Sequence, residues 1–375
     1  GDESTDAFGE ASGAAAAAET EAARGAAAGT SASDRDAGTS AGVDVPEPGA
    51  ATAGEPVADF EALTRRLARA GFENIDVGVT ADRETLVVRL ENSTYNNNEV
   101  DGIGVALGHA VATARGRYPR ARLVLENVGV AVTAVAVSTA DYYRYSRARA
   151  TDAAASPPEP VLEVVDPAGP RGEAIEWHTR DRAPGYFRPR FSFSPSLVSG
   201  IATEVGTFDH SVALRTHLSV PMWPGGSVAF DWDTPVYQTP NFRDGEAFEE
   251  QRIEGGLKNA FLQQAVKLGP LYNQVHLGRY REDYEGGFAE SYWQPGDGAN
   301  RFKVKLGRFE HADFPDEEPR EIALASYRYY FAPLDMEVEL TGGRFWGQDD
   351  GAAVATRHHF GDTSIELFLT STDID

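Results

Sequence analysis

Met336-Glu337-Val338-Glu339-Leu340-Thr341-Gly342-Gly343-Arg344-Phe345 is the stretch on which the reading of the second half of this chain turns. Successive side chains of a strand face opposite sides, so Met336, Val338 and Leu340 share one face and Glu337, Glu339 and Thr341 the other. The stretch closes on a phrase met twice before, in Leu277-Gly278-Arg279-Tyr280 and Leu306-Gly307-Arg308-Phe309. Each copy ends a run of alternating apolar and polar residues and precedes acids and glycines, the mark of a recurring strand end. A repeated strand unit predicts a large antiparallel sheet with one greasy face and one charged face. A soluble sandwich turns the greasy face to its core. A membrane barrel turns it to lipid and turns its polar face to a lumen.

Working outward, Phe191 and Phe193 alternate with serines, and Val212, Leu214, Leu218 and Val220 oppose Arg215 and His217. Phe302, Val304 and Leu306 oppose Lys303 and Lys305, and Ile365, Leu367 and Leu369 oppose Glu366 and Thr370. Several segments approach the ~9–11 residues of a tilted strand crossing a bilayer. Trp223, Trp293 and Trp346 sit beside Pro- and Gly-rich turns, where an interfacial girdle would place them. Aromatics capping a soluble core would look the same. In the barrel reading Val304, Leu306, Val338, Leu340, Leu367 and Leu369 face lipid, and Lys303, Lys305, Glu337, Glu339 and Glu366 face inward.

Composition narrows the choice. The chain has 375 residues, no Cys, and a net charge of -24. No run of about 18 apolar residues is present to form a transmembrane helix. Without Cys there are no disulfides and no thiolate metal ligands. The acidity argues against nucleic acid as a partner, because phosphate backbones need a basic footprint. Thirty arginines stand against four lysines, Lys258, Lys267, Lys303 and Lys305.

The predicted organisation has four parts. Residues 1–56 are Ala, Gly, Ser, Thr and acids, eleven acids against two arginines, and are expected to form a disordered tail. Residues 57–147 read as a small α+β domain. Phe60, Leu63, Leu67 and Ala70 recur at helical spacing up to Gly71; strands follow at Ile75–Val79 and Leu86–Leu90, a second helix at about Glu99 to Arg117, and strands between Leu123 and Val137. Residues 148–185, rich in Ala, Pro and charge, read as a linker with one short strand at Val161–Val165. Residues 186–375 carry the antiparallel strands.

A family resemblance enters through particular residues. Leu277-Gly278-Arg279-Tyr280, Gly286-Gly287-Phe288-Ala289-Glu290, Tyr292-Trp293-Gln294-Pro295, Gly343-Arg344-Phe345, Asp350-Gly351, Arg357, Phe360 and Gly361 resemble the barrel signature of YjbH-type exopolysaccharide proteins. Gly71-Phe72-Glu73-Asn74-Ile75, Leu90-Glu91-Asn92 and Tyr95 are similar to the small domain preceding the barrel in that family. The resemblance covers roughly 57–145 and 186–375. It implies a mainly β protein: an antiparallel outer-membrane β-barrel with a periplasmic α+β domain, serving polysaccharide export with no enzymatic role. Family members can be longer. Here the chain closes on Ser371-Thr372-Asp373-Ile374-Asp375 without a terminal aromatic, so the barrel is expected to be incomplete at its C-terminus or completed by something else.

The residues that carry chemistry follow from this frame. Arg279, Arg308 and Arg344 have two readings: lumen-side guanidiniums that pair with acids and hold register, or groups that contact the hydroxyls and carboxylates of a passing glycan. Tyr280, Tyr292, Trp293, Phe309 and Trp346 offer stacking faces. Glu337 and Glu339 lie about 6.5–7 Å apart by strand rise, within the separation of about 6.5–9.5 Å used by inverting glycosidases. Any polar strand face yields such a pair. His358 and His359 are adjacent and so face opposite sides, as do His210 and His217, and no metal site is expected. No Gly-x-Ser-x-Gly elbow occurs. The expectation is therefore a non-enzymatic, cofactor-free outer-membrane conduit or binding component of exopolysaccharide export. Its partners would be polysaccharide, outer-membrane lipid and other components of the secretion system. The alternative is a secreted all-β carbohydrate-active enzyme or lectin.

Overall fold

A computed structural model of the protein describes residues 59–95, 99–150, 161–167, 169, 173–201, 203–296, 298–314, 316–360 and 363–373. The tail expected to be disordered lies outside the described residues. The chain divides into two compact units, one running through Val124 and resuming at Ala134–Ala183, the other comprising Pro184–Asp375 with Leu125–Thr133.

The first unit is α+β. Its elements are α1 (Phe60–Arg69), β1 (Phe72–Thr80), β2 (Thr85–Asn92), α2 (Glu99–Ala114), β3 (Arg120–Asn127), β4 (Val130–Ser138), α3 (Thr139–Ala150), β5 (Glu163–Val165) and β6 (Ile175–Arg182). The carboxylate of Asp59 caps α1 by accepting from the Ala62 amide at 2.7 Å. Gly71 ends that helix at φ +95°, and a Cβ there would collide with the Thr94 side chain, so only glycine fits. The helical and strand periods converge on one core, with Leu63, Leu67, Ile75, Val77, Val88 and Leu90 all buried. Sheet order is β5-β4-β3-β2-β1-β6. Two elements differ from the sequence reading. Ile175–Arg182, inside the stretch read as a linker, is a strand that pairs with β1, and Thr139–Ala150 is a helix. Neither carries a strong local period; α3 is Tyr- and Arg-rich around its circumference, and β6 has polar residues on both faces. Tertiary pairing makes them regular.

The second unit is one eleven-stranded antiparallel sheet in strictly sequential order: β7 (Arg190–Ile201), β8 (Phe208–Trp223), β9 (Gly226–Gln238), β10 (Gly256–Leu268), β11 (Leu271–Tyr280), β12 (Tyr284–Trp293), β13 (Asn300–His311), β14 (Arg320–Phe331), β15 (Met336–Arg344), β16 (Asp350–Phe360) and β17 (Thr363–Thr372). The large antiparallel sheet is as expected. Its closure into a barrel is not: β7 and β17 are the two edges and do not pair with each other among the described residues. Among the described residues no helix is long and apolar enough to cross a membrane.

Candidate functional site

The sheet has two faces that treat polarity in opposite ways. On one, Leu262, Val275, Leu277, Val304, Leu306, Leu340, Leu367 and Leu369 are exposed. On the other, the charged residues are covered: Arg328 is 2% exposed, Glu337 5%, Glu290 6% and Lys303 7%. Buried charge is tolerated when it is paired or hydrogen-bonded; Arg328, Glu337 and Lys303 have ion-pair partners here, and Glu290 accepts from Gln274 Nε2 at 3.1 Å. Arg328 Nη1 donates to Glu337 Oε1 at 2.9 Å. Arg357 Nη1 and His359 Nε2 lie 3.9 and 3.8 Å from the same carboxylate. Arg301 Nη2 donates to Glu339 at 2.9 Å, with Lys303 Nζ 3.7 Å away. Arg357 Nε continues the chain to Glu366 at 2.9 Å. Further along, Arg215 makes a two-pronged bond to Asp233 (2.8 and 2.6 Å), and His217 meets Asp231 at 2.7 Å. Every strand from β13 to β17 thus contributes to one ladder of alternating charge.

The lysines and glutamates share the covered face and the aliphatics the opposite one, as the two-residue alternation predicts, but the three arginines do not lie on the side where the lumen reading put them. Arg279, Arg308 and Arg344 are exposed beside Leu277, Leu306 and Leu340, on the face opposite Glu337 and Glu339. Two-residue periodicity requires this, since each arginine stands two positions from an outward leucine or, in Arg344, two from outward Gly342. Each pairs across its own hairpin: Arg279 with Glu285 at 2.9 Å, Arg308 with Glu321 at 3.2 Å, Arg344 with Asp350 at 3.2 Å. They form a charged border to the apolar face beside a shallow groove of about 850 Å³ over Ala289, Gly307 and Ala323.

The aromatics of the first two copies point the other way and meet Trp346, which follows Phe345 of the third copy. Tyr280, Phe309 and Trp346 meet in one cluster, with centroids 5.4 Å (Tyr280–Phe309), 5.0 Å (Tyr280–Trp346) and 5.3 Å (Phe309–Trp346) apart. Trp346 therefore packs on the covered side and is no girdle residue, whereas Trp223 and Trp293 are exposed, Trp293 stacking on Phe302 at 5.7 Å. Tyr292 stacks on Tyr272 at 4.8 Å. The glycine of the phrase faces the cluster side. Gly278 (φ +150°) and Gly343 (φ +133°) approach the neighbouring strand so closely that a Cβ would strike the carbonyls of Ala260 and Ala323.

The phrase thus resolves into structural parts: arginine out to a cross-strand acid in all three copies, leucine out and aromatic in for the first two, and glycine at close approach in the first and third. Glu337 and Glu339 both lie on the covered side, each beside cations: Glu337 beside Arg328 and Arg357, Glu339 beside Arg301 and Lys303. Sequence reasoning missed Arg301, Arg328 and Arg357, although strand parity places Arg301 with Lys303, and Arg357 opposite His358. Arg328 carried no local signal; its role exists only through the β14–β15 register that sets it opposite Glu339 and within reach of Glu337.

In the α+β unit the quoted motif residues also converge. Asn74 Nδ2 donates to Glu91 Oε2 at 2.8 Å, the Thr94 hydroxyl to the Gly71 carbonyl at 2.8 Å, and the Tyr95 amide to Asn92 Oδ1 at 3.1 Å. They tie the end of α1 to the end of β2. Burial raises the Glu99 carboxyl above its usual range, opposed by a hydrogen bond from Asn92 and reinforced by the charge of Glu91. His109 is held below its usual range by burial and by the nearby Arg66 charge. Among the described residues no group of three His, Asp or Glu side chains is placed to hold a metal ion.

No curated protein and no solved structure matches the chain. The sequence model of the YjbH family, described as exopolysaccharide biosynthesis protein YbjH, matches residues 15–375, and the chain belongs to that family.

Proposed function

We propose that the eleven-stranded sheet is the wall of an outer-membrane β-barrel that serves exopolysaccharide export or assembly as a binding and conduit component. The α+β unit would stand in the periplasm, and the protein would work beside other secretion components without catalysing a reaction. One observation carries this reading: the sheet exposes its aliphatic side chains and covers its charged ones, the reverse of what water selects. Lipid is the solvent that fits. The family membership supplies the polysaccharide. The non-catalytic part is supported by Glu337 and Glu339, whose charges are spent on Arg328, Arg301 and Lys303 rather than left for proton transfer.

Two measurements test the proposal. The chain should remain monodisperse only in the presence of an amphiphile; a monodisperse, folded chain in plain buffer overturns the membrane reading. Leu340→Arg places a cation on the apolar face at a cost of ~2–4 kcal/mol at mid-depth. It should abolish membrane assembly, whereas Glu339→Gln, on the covered face, should still assemble.

A further inference from the structure

The chain carries 58 acidic residues against 34 basic ones, so an arginine without an acid beside it is unexpected. On the sheet Arg215, Arg279, Arg301, Arg308, Arg328, Arg344 and Arg357 have carboxylate partners, while Arg320 lies over the Tyr284 ring instead. The helical side of the α+β unit adds four more arginines without a carboxylate. Arg66 and Arg69 on α1, and Arg115 and Arg117 at the end of α2, are exposed and make no ion pair among the described residues.

Arg66 and Arg69 lie on α1, and Arg115 and Arg117 just past the end of α2, on a pair of packed, antiparallel helices. The Phe60 ring at the start of α1 is 6.5 Å from Tyr118, just past the end of α2, and the His109 imidazole midway along α2 feels the Arg66 charge. At 1.5 Å rise per residue, the arginines therefore span roughly 15 Å along the helix pair. On the α3 side the stripe is extended by Tyr143, whose ring lies under the Arg115 guanidinium at 3.8 Å. Helix-dipole complementarity explains a cation in a last turn. It does not explain four guanidiniums left unpaired in a chain with so many acids to offer.

We infer that this arginine and tyrosine face of α1, α2 and α3 binds an acidic polysaccharide, one bearing a carboxylate on successive sugars. The inference rests on the polysaccharide half of the proposed function and not on its membrane half. Guanidinium forks match carboxylates two-pronged, and the Tyr143 ring, amphipathic and half-buried, offers a sugar an apolar surface. An anionic membrane surface is the weaker occupant. Interfacial binding needs apolar side chains to insert, and among the described residues of these helices Val100 is the one strongly exposed large apolar group.

The test uses the full chain in detergent micelles and polygalacturonate, with neutral dextran and phosphatidylglycerol vesicles as comparison ligands. Polygalacturonate should bind and weaken as salt rises, and dextran should not bind. Replacing Arg66, Arg69, Arg115 and Arg117 together by Gln should weaken binding about tenfold or more, and replacing all four by Lys, which keeps the charge and loses the fork, should recover only part of it. These positions are exposed, so an unchanged melting curve for both variants verifies the fold. Absence of polygalacturonate binding, equal binding of dextran, full affinity in the Gln variant, or arginine-dependent binding to the vesicles alone would each overturn the inference. A chain that needs no amphiphile yet binds polygalacturonate through these arginines would remove the membrane reading and leave this one standing.

Discussion

The two units bury opposite kinds of surface. In the α+β unit Leu63, Leu67, Val77 and Leu90 are inside, and the arginines of α1 and α2 are outside. In the sheet the aliphatics are outside, and Arg328, Glu337 and Lys303 are inside. The same hydrophobic effect cannot favour both arrangements in the same solvent. On the reading proposed above, one unit is built for water and the other for lipid, in which leucine costs nothing to expose. The units also differ in how they hold charge. The sheet pairs Arg215, Arg279, Arg301, Arg308, Arg328, Arg344 and Arg357 with carboxylates, whereas four exposed arginines of the helical layer make no ion pair among the described residues.

The comparison breaks most sharply at Arg328. Removing one partner of a buried ion pair leaves the other uncompensated, so Arg328→Ala should lower the unfolding free energy of the sheet by about 3–5 kcal/mol. Denaturant titration in micelles measures it, and the double variant Arg328→Met/Glu337→Leu should recover most of the loss. A small effect of Arg328→Ala would mean that this face is wet.

A matched truncation comes next. Leu67→Ala empties core in the α+β unit and should cost about 2–5 kcal/mol, while Leu367→Ala on the exposed face should cost less than about 1 kcal/mol. Among the described residues all α-helices belong to the first unit, so circular dichroism near 222 nm follows Leu67→Ala, and folded yield in micelles follows Leu367→Ala. Comparable losses would erase the contrast between the units.

Backbone strain gives a smaller effect within the repeated phrase. Gly278→Ala and Gly343→Ala force a Cβ onto a neighbouring carbonyl at positive φ, at about 1–3 kcal/mol each. Gly307→Ala in the second copy, which has no positive φ, should be milder. Equal costs for all three would show that the copies are equivalent and that the close approach at the first and third does not matter.

The smallest effect is that of pH on the α+β unit, where two groups act with opposite sign. His109 is depressed in the folded state, so below its unfolded pKa of about 6.5 the unfolded chain takes up a proton that the folded chain resists, and stability falls with pH. Glu99 is raised, so the folded chain takes up its proton first and stability rises on acidification. His109→Gln should remove the acid-side loss that begins near pH 6.5, and Glu99→Gln should raise the melting temperature at pH 7. Melting curves of the two variants between pH 7 and 5 check both signs.

Much of this was legible in the chain, and where a reading failed the reason is physical. The alternation Met336-Val338-Leu340 against Glu337-Glu339 reports which side chains share a face, because strand geometry has period two and needs no neighbours. By the same parity Arg279 and Arg308 belong with Leu277 and Leu306; charge chemistry suggested the lumen, and geometry overruled it. The core of the α+β unit was legible for the same reason, since Leu63 and Leu67 stand one helical turn apart. β6 and α3 were not, because pairing with β1 and packing against α2 supply their regularity from outside their own residues.

Sequence alone determined the strand and helix periods, the sharing of faces, the antiparallel sheet and the family. Tertiary structure alone decided which face of the sheet is covered, which arginine meets which acid, that β7 and β17 do not pair among the described residues, and that the helix carrying Arg66 and Arg69 packs beside the one that ends just before Arg115 and Arg117. The first set depends on spacing within a few residues. The second depends on register and burial, which arise only when segments tens of residues apart meet, and a two-residue period is the same pattern whichever face looks outward.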